Sequence, residues 1–317
     1  MKKILILFAL SLVLCSCKNT NVEIDYDYSN LEIISPTGAP SLAFLSDINN
    51  PNFETNSVPS NIISMMTSNS NKEVVVIDAV SGIRAIKKGA PYKLAGILTF
   101  GNFYIASTGN DEDNIMNADD KIILFGQGLT SDIIFHYLYG DTYNKNIEYV
   151  NAVSDAAKCL AAGKNLETGS AIDYVFIAEP VLTNILNNED APTYGKAKIY
   201  QNIQEAFNYQ TGNDMIQAGL FLKEDGLISN KKDYLKYLEN NINIILSNKE
   251  YVYSLLKDKS VEEVSTKYGI STNLIPYVLE NNLVGLGFKN AYHNRKSIEL
   301  FCSLFGIEDI DEEIYFK

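Results

Sequence analysis

Residues 93–107 read KLAGILTFGNFYIAS, and residues 215–224 read MIQAGLFLKE. Both are apolar stretches that run on longer than the other strand-like segments, whereas an ordinary strand spans about five or six residues. A chain that leaves one α/β unit, builds a second and returns to the first needs two such crossings. Read this way, the two stretches divide the chain into a first lobe at 30–105 plus 216–317 and a second lobe at about 106–215. The alternative is one large doubly wound sheet. The strand-helix block between 121 and 188 is self-contained in pattern, which favours two lobes.

On either side of the crossings, β-branched runs alternate with helix-patterned segments. The runs are LEII (31–34), EVVVID (73–78), KIILFG (121–126), IEYV (147–150), DYVFIAE (173–179) and AGLFLKE (218–224). Between them lie PSLAFLSDI, PSNIISMM, VSGIRAIKKG, LTSDIIFHYLYG, SDAAKCLAAG and PVLTNILNN. Such alternation predicts parallel sheets covered on both faces. After Asn230 the pattern turns to helices only, as in KKDYLKYLENNINIIL and RKSIELFCSLFG. The expected fold class is α/β, two-lobed with two strand crossovers, and an all-helical C-terminal part packed on the first lobe.

In open α/β sheets ligands settle at the carboxyl ends of strands, beside helix N-termini with free N–H groups. Four junctions qualify. In SPTGAPSLAF (35–44), Thr37, Gly38 and Ala39 make a turn of small residues that lets a guest approach the backbone, and Pro40 suits a helix start. In VVVIDAVSGIRAI, Asp78 and Ser81 are candidate caps, and Asp78 could also accept a hydrogen bond from a ligand amine. In ILFGQGLTSDIIF, Gly126, Gln127 and Gly128 lack the spacing of a dinucleotide or phosphate loop. Gln127 with Thr130 and Ser131 at a helix start suits an anionic or carbonyl oxygen instead. In DYVFIAEPVLTNIL, Glu179 before Pro180 could bind a donor or face solvent. Phe100, Phe103 and Tyr104, near a crossing, could stack on a flat heterocycle or simply pack in the core.

The chain opens MKKILILFALSLVLCSC. Two lysines, an apolar stretch and small residues are the layout of a signal peptide, too short for a comfortable membrane span. Leu14-Cys15-Ser16-Cys17 resembles the lipobox of bacterial lipoproteins, and Cys17 fits as the lipidated residue better than Cys15, which follows the bulky Val13 and Leu14. This gives a signal at 1–16 and a polar lipidated tether at 17–29, against the plainer alternative of an unlipidated signal peptide with incidental cysteines. The net charge is −13, and no basic cluster stands out, so nucleic acid is excluded as an expected partner. Cys159 and Cys302 match no metal motif and leave pairing open. His136 and His293 are the only histidines, which gives a histidine metal site or catalytic triad little material. His136 reads as a packed or surface helix residue. No cofactor or metal is expected.

Taken in order, SPTGAPSLAF, DAVSGIRAIKKGAPYKLAGILTFGNFYIAS, GQGLTSDIIFHYL, IEYVNAVSDAAKCLAAG, DYVFIAEPVLTNIL and MIQAGLFLKED resemble the substrate-binding lipoproteins of bacterial ABC importers. The nearest look is to the group with thiamine-precursor, sulfonate and nitrate binders, and it covers Leu31 to about Gly306. The resemblance implies a type II periplasmic-binding-protein fold closing around a two-strand hinge. Its ligand loops would fall at Thr37-Gly38-Ala39, Asp78 to Ser81, Thr99 to Asn102 with Phe100, Gln127 to Thr130 with Gly128, and Glu179-Pro180. The Asp-Ala-Val-Ser loop departs from the Pro-Thr-Asn-like segment of many relatives. A monomeric receptor on the outer face of the cell membrane is expected, holding a heterocyclic, sulfonate or carboxylate solute for an ABC permease. Two rivals stand beside it. One is an enzyme on the same fold, as in menaquinone biosynthesis, with Glu179 or Asp78 as general base; the export signal opposes it. The other is an adhesin or structural lipoprotein, opposed by the small and polar residues at every strand end.

Overall fold

The computed structural model describes residues 28, 30–68, 70–110, 115–140 and 142–317, so the expected signal peptide and Cys17 lie outside the described residues. The first lobe begins with β1 (Ile33–Pro36), a 3-10 helix (Ala39–Asp47), β2 (Phe53–Asn56), α1 (Pro59–Thr67), β3 (Val74–Asp78), α2 (Ala79–Lys87) and β4 (Tyr92–Thr99). After the crossing come β5 (Phe103–Ser107), β6 (Ile122–Phe125), α3 (Thr130–Tyr139), β7 (Ile147–Val150), α4 (Val153–Ala162), β8 (Tyr174–Ala178), α5 (Val181–Leu186), β9 (Lys198–Asn202) and α6 (Ile203–Thr211). The return adds β10 (Ala218–Lys223), α7 (Lys231–Ser247), α8 (Lys249–Leu256), α9 (Val261–Tyr268), α10 (Ile275–Glu280), β11 (Leu286–Asn290) and α11 (Arg295–Ser303).

Two sheets result, in the orders β11-β4-β10-β3-β1-β2 and β7-β6-β8-β5-β9. They are mixed, which corrects the expectation of purely parallel sheets. β1, β2 and β3 run parallel, whereas β10 is antiparallel to both β3 and β4. The reason is the crossing itself. The parallel strands end at the junction between lobes, and a strand that enters from that junction must run the other way. β5 repeats this in the second lobe, antiparallel to β8 and β9 while β6 is parallel to β7 and β8. A second correction concerns the C-terminal part. It is helical except for β11, which adds an antiparallel edge to β4.

Strand alternation sorts the side chains into cores, successive residues facing opposite sides. Val74 and Val76 join the cluster under the 3-10 helix and α7, while Val75 and Ile77 face α1 and α2. In the second lobe Tyr174 and Phe176 face one side of β8, and Val175 and Ile177 face α4 on the other. The cluster containing Val75, Ile77 and Phe221 continues without a break into Phe103, Phe135, Phe176 and Phe207 of the second lobe. Phe207 on α6 meets Phe301 on α11 with ring centroids 5.8 Å apart, so the lobes share apolar burial as well as two crossings. Cys159 and Cys302 are free thiols in different clusters. Among the described residues no helix is long and apolar enough to cross a membrane.

Candidate functional site

The C-terminal ends of β1, β3, β6 and β8 carry the four turns singled out in the sequence, and two of these ends are tied to the crossings. Ala79, which follows β3, donates its backbone N–H to the Gln217 carbonyl, and Gln217 donates its own to the Thr99 carbonyl. The Gln217 side-chain amide donates to Asn102 Oδ1 at 2.7 Å. Asn102 in turn donates Nδ2 to the Glu179 carbonyl and accepts the Glu179 N–H on its own carbonyl at 2.8 Å. An unbroken chain of hydrogen bonds therefore runs from the tip of β3 to the tip of β8 through both crossings. Gln217 escaped the sequence reading. Its only signal was one amide in the otherwise apolar start of MIQAGLF.

At the first turn, Gly38 has φ of +109°, a value that a side chain at this position would strain. Its carbonyl accepts from both the N–H and the hydroxyl of Ser41, the latter at 2.7 Å. The glycine that closes α9, Gly269, lies against Thr37 and the backbone of Gly38, so this turn is backed by the C-terminal helices and Ala39 is buried.

At the second turn, Asp78 Oδ1 accepts the N–H of Ser81 at 2.9 Å and caps α2. Burial pushes the Asp78 carboxyl above its ordinary value, against the pull of Ser81 and Arg84.

Glu179 is not solvated. It is 2% exposed, and its two oxygens accept from the N–H and the hydroxyl of Thr183, each at 2.9 Å. Desolvation is the first cause of its raised pKa, opposed by those two bonds. Solvent exposure, one of the two roles considered for it, is thus corrected. The carboxylate turns back because the first turn of α5 offers it N–H and hydroxyl donors. The peptide between Glu179 and Pro180 is cis, and Pro180 is buried.

At the Gln127 turn part of the donor set is already taken. The Gly128 N–H, which could have held an anion, already donates to Asp132 Oδ2 at 2.7 Å, and Ser131 donates its hydroxyl to the Phe125 carbonyl. A carboxylate from the first turn of α3 occupies the favourable end of the helix dipole. Gln127 and Gly128 are exposed, and Thr130 is half-buried. The other Asp132 oxygen accepts the Tyr149 hydroxyl at 2.8 Å and lies 3.1 Å from His136 Nε2, which gives the histidine its place in this network.

Each of the three aromatic candidates already has a partner in the fold. Phe100 lies beneath the Lys289 ammonium, 5.0 Å from the ring centroid, and its backbone N–H donates to Gly285. Phe103 packs edge-on and tilted against Phe125 and Phe176. Tyr104 donates its hydroxyl to the Leu283 carbonyl across the crossing. Asn102 is 7% exposed, and its amide is spent on Glu179 and Gln217, which ties the two crossings to the tip of β8. Among the described residues no group of three or more His, Cys, Asp or Glu could hold a metal ion.

No family model matches the chain, and no curated protein matches it in sequence. Solved structures do. An ABC transporter protein from Parabacteroides distasonis superposes with a TM-score of 0.70 at 14% identity, over 91% of this chain and 99% of that one. The ligand-binding component of an ABC-type import system from Staphylococcus aureus, solved with zinc bound, gives 0.59 at 10% identity, over 91% and 96%. The periplasmic aliphatic sulphonate binding protein SsuA from Escherichia coli gives 0.54 at 12% identity, over 88% and 87%. With two mixed sheets joined by two crossings and strand tips gathered at the junction, the chain has the two-lobed periplasmic-binding-protein fold.

Proposed function

We propose that the protein is a solute-binding protein that captures a small molecule between its lobes and delivers it to an ABC import permease. In this proposal the signal is at 1–16 and the lipidated tether at 17–29, as expected from sequence, and the lobes join at about 216 and, in place of the expected 105, just before β5, which begins at Phe103 and belongs to the second sheet. Cys17 would anchor it on the extracytoplasmic face of the membrane. The observation that carries the proposal is the hydrogen-bonded chain Ala79–Gln217–Asn102–Glu179, because it holds the tips of β3 and β8 against the same pair of crossings. Turns fixed in this way can converge on one guest, and a guest touching both lobes stabilises the closed form over the open one. The turns at Thr37–Ala39 and Gln127–Thr130 would supply backbone and small polar contacts around it.

The enzyme alternative draws no support from the carboxylates. Asp78 and Glu179, the two groups considered as a general base, are engaged by Ser81 and Thr183. A general base needs its oxygen within reach of a substrate proton, and here the Ser81 N–H and the Thr183 N–H and hydroxyl take oxygens of the two carboxyls.

Native mass spectrometry of protein purified without refolding, followed by thermal shift with sulfonates, pyrimidines, vitamins and amino acids, tests the proposal. A retained solute or a saturable rise in melting temperature is expected. A ligand-free protein that none of these compounds stabilises would overturn it. Metabolic labelling with a fatty acid, compared between wild type and Cys17→Ala, tests the anchor separately.

A further inference from the structure

The edge strand β11 starts beside the crossing, where Leu286 pairs with Thr99, and runs away from it. Along its outer part, between α7 and the turn at 291–294, lies a groove of about 550 Å³. That volume falls in the range of roughly 300–1,000 Å³ common to small-molecule sites.

The charge of its lining is opposite to that of the chain. The protein carries −13, yet Lys232, Lys236, Lys289 and Lys317 line the groove against a single acidic side chain, Glu239. Two of the four are already neutralised, Lys289 by Asp214 and Lys317 by Glu312 at 2.9 Å. Lys232 and Lys236 form no ion pair among the described residues. They stand one turn apart on α7, a like-charge spacing that is unfavourable, and the one acidic group of the lining, Glu239, stands a turn further on beyond Lys236.

The apolar part is equally specific. Phe288 is seated over Gly96 of β4, where a side chain would collide with its ring. With Phe316 and Leu235 it supplies an apolar wall. Tyr292 also lines the groove, but its ring is already met by Arg295 at 4.9 Å and Lys317 at 5.3 Å from the centroid.

We propose that this groove binds a small anion with a flat apolar body, such as an aromatic carboxylate or an aryl phosphate. Lys232 and Lys236 take the anionic group, and Phe288 and Phe316 cover the ring. The site is separate from the interlobe cleft, and the proposal holds whichever solute the cleft takes.

The test is titration of the full chain with phenyl phosphate, followed by calorimetry and by amide NMR. Saturable binding is expected, with shifts at Phe288 and Phe316. The double variant Lys232→Gln/Lys236→Gln should weaken it at least about tenfold, the effect of losing a charge-assisted contact. Benzyl alcohol, the neutral analogue, should bind the two proteins alike. The Phe288→Leu variant should weaken phenyl phosphate but leave inorganic phosphate unchanged, with far-ultraviolet circular dichroism confirming the fold of each variant. Equal affinity in wild type and the double variant would overturn the site. So would shifts confined to Asp78 and Asn102, or binding to anionic lipid vesicles with none to phenyl phosphate.

Discussion

At the scale of single residues, Gly82 carries more structural information than its place in a helix suggests. A glycine inside a helix costs roughly 1 kcal/mol relative to alanine. Here the missing side chain is the space that the Phe221 ring fills, since a Cβ on Gly82 would overlap that ring. Phe221, on β10, is fully buried against α2, so its ring has no route of retreat. Gly82→Ala should therefore destabilise the protein by about 1–3 kcal/mol despite the better helix propensity. Urea unfolding checks this, and pairing Gly82→Ala with Phe221→Leu should recover part of the loss. A stabilised single variant would mean that the ring and helix are not in contact. Local chemistry made some residues legible from sequence. Asp78 three residues before Ser81 announced a cap, and the cap is there. Glu179 was not legible in the same way, because whether its carboxylate points outward or folds back onto Thr183 depends on the course of the next turn.

At the scale of elements, the strands that sequence missed share a physical cause. β2, β9 and β11 are short edge strands, and β9 has no buried residue, with Lys198 exposed at its start. Edge strands are kept polar and short against unwanted pairing, which removes the apolar run that reveals a strand. The buried strands β3, β6 and β8 kept continuous apolar runs and were readable. Contact between elements also creates a pH dependence that no sequence pattern announces. Asp47, at the end of the 3-10 helix, is 8% exposed and accepts the Tyr237 hydroxyl of α7 at 3.0 Å. Burial pushes its carboxyl up to about 6, with Tyr237 and Lys267 opposing the rise. The folded protein then holds this proton more tightly than the unfolded chain. Stability from the site is complete below about pH 4 and is lost as pH rises through about 6, up to about 3 kcal/mol in all. Urea unfolding from pH 4 to 7 should show wild type losing stability relative to Asp47→Asn as pH increases. A difference that does not change with pH would exclude the buried carboxyl as its source.

At the scale of the whole molecule, the two-lobed plan was legible because each crossing had to be a long apolar run, and LAGILT and AGLFLK indeed form the central strands β4 and β10. What the runs did not disclose is that a single apolar cluster continues from one lobe into the other. Its bridge is the pair Phe207 on α6 and Phe301 on α11, each 1% exposed, supported by a 2.9 Å hydrogen bond from Ser297 to Asn213. If that bridge couples the lobes, they should unfold together, since apolar burial shared between units is lost only when both come apart. Removing a buried Phe typically costs about 3–5 kcal/mol. Phe301→Ala should therefore lower stability by an amount in that range and, more tellingly, divide one transition into two. Hydrogen exchange read by peptide distinguishes these cases. In wild type the most protected amides of β3 and β8 should open with the same free energy, whereas in the variant their values should separate. Separate values already present in wild type would mean that the lobes are independent folding units joined only by their crossings, and that Phe207 and Phe301 pack without coupling them.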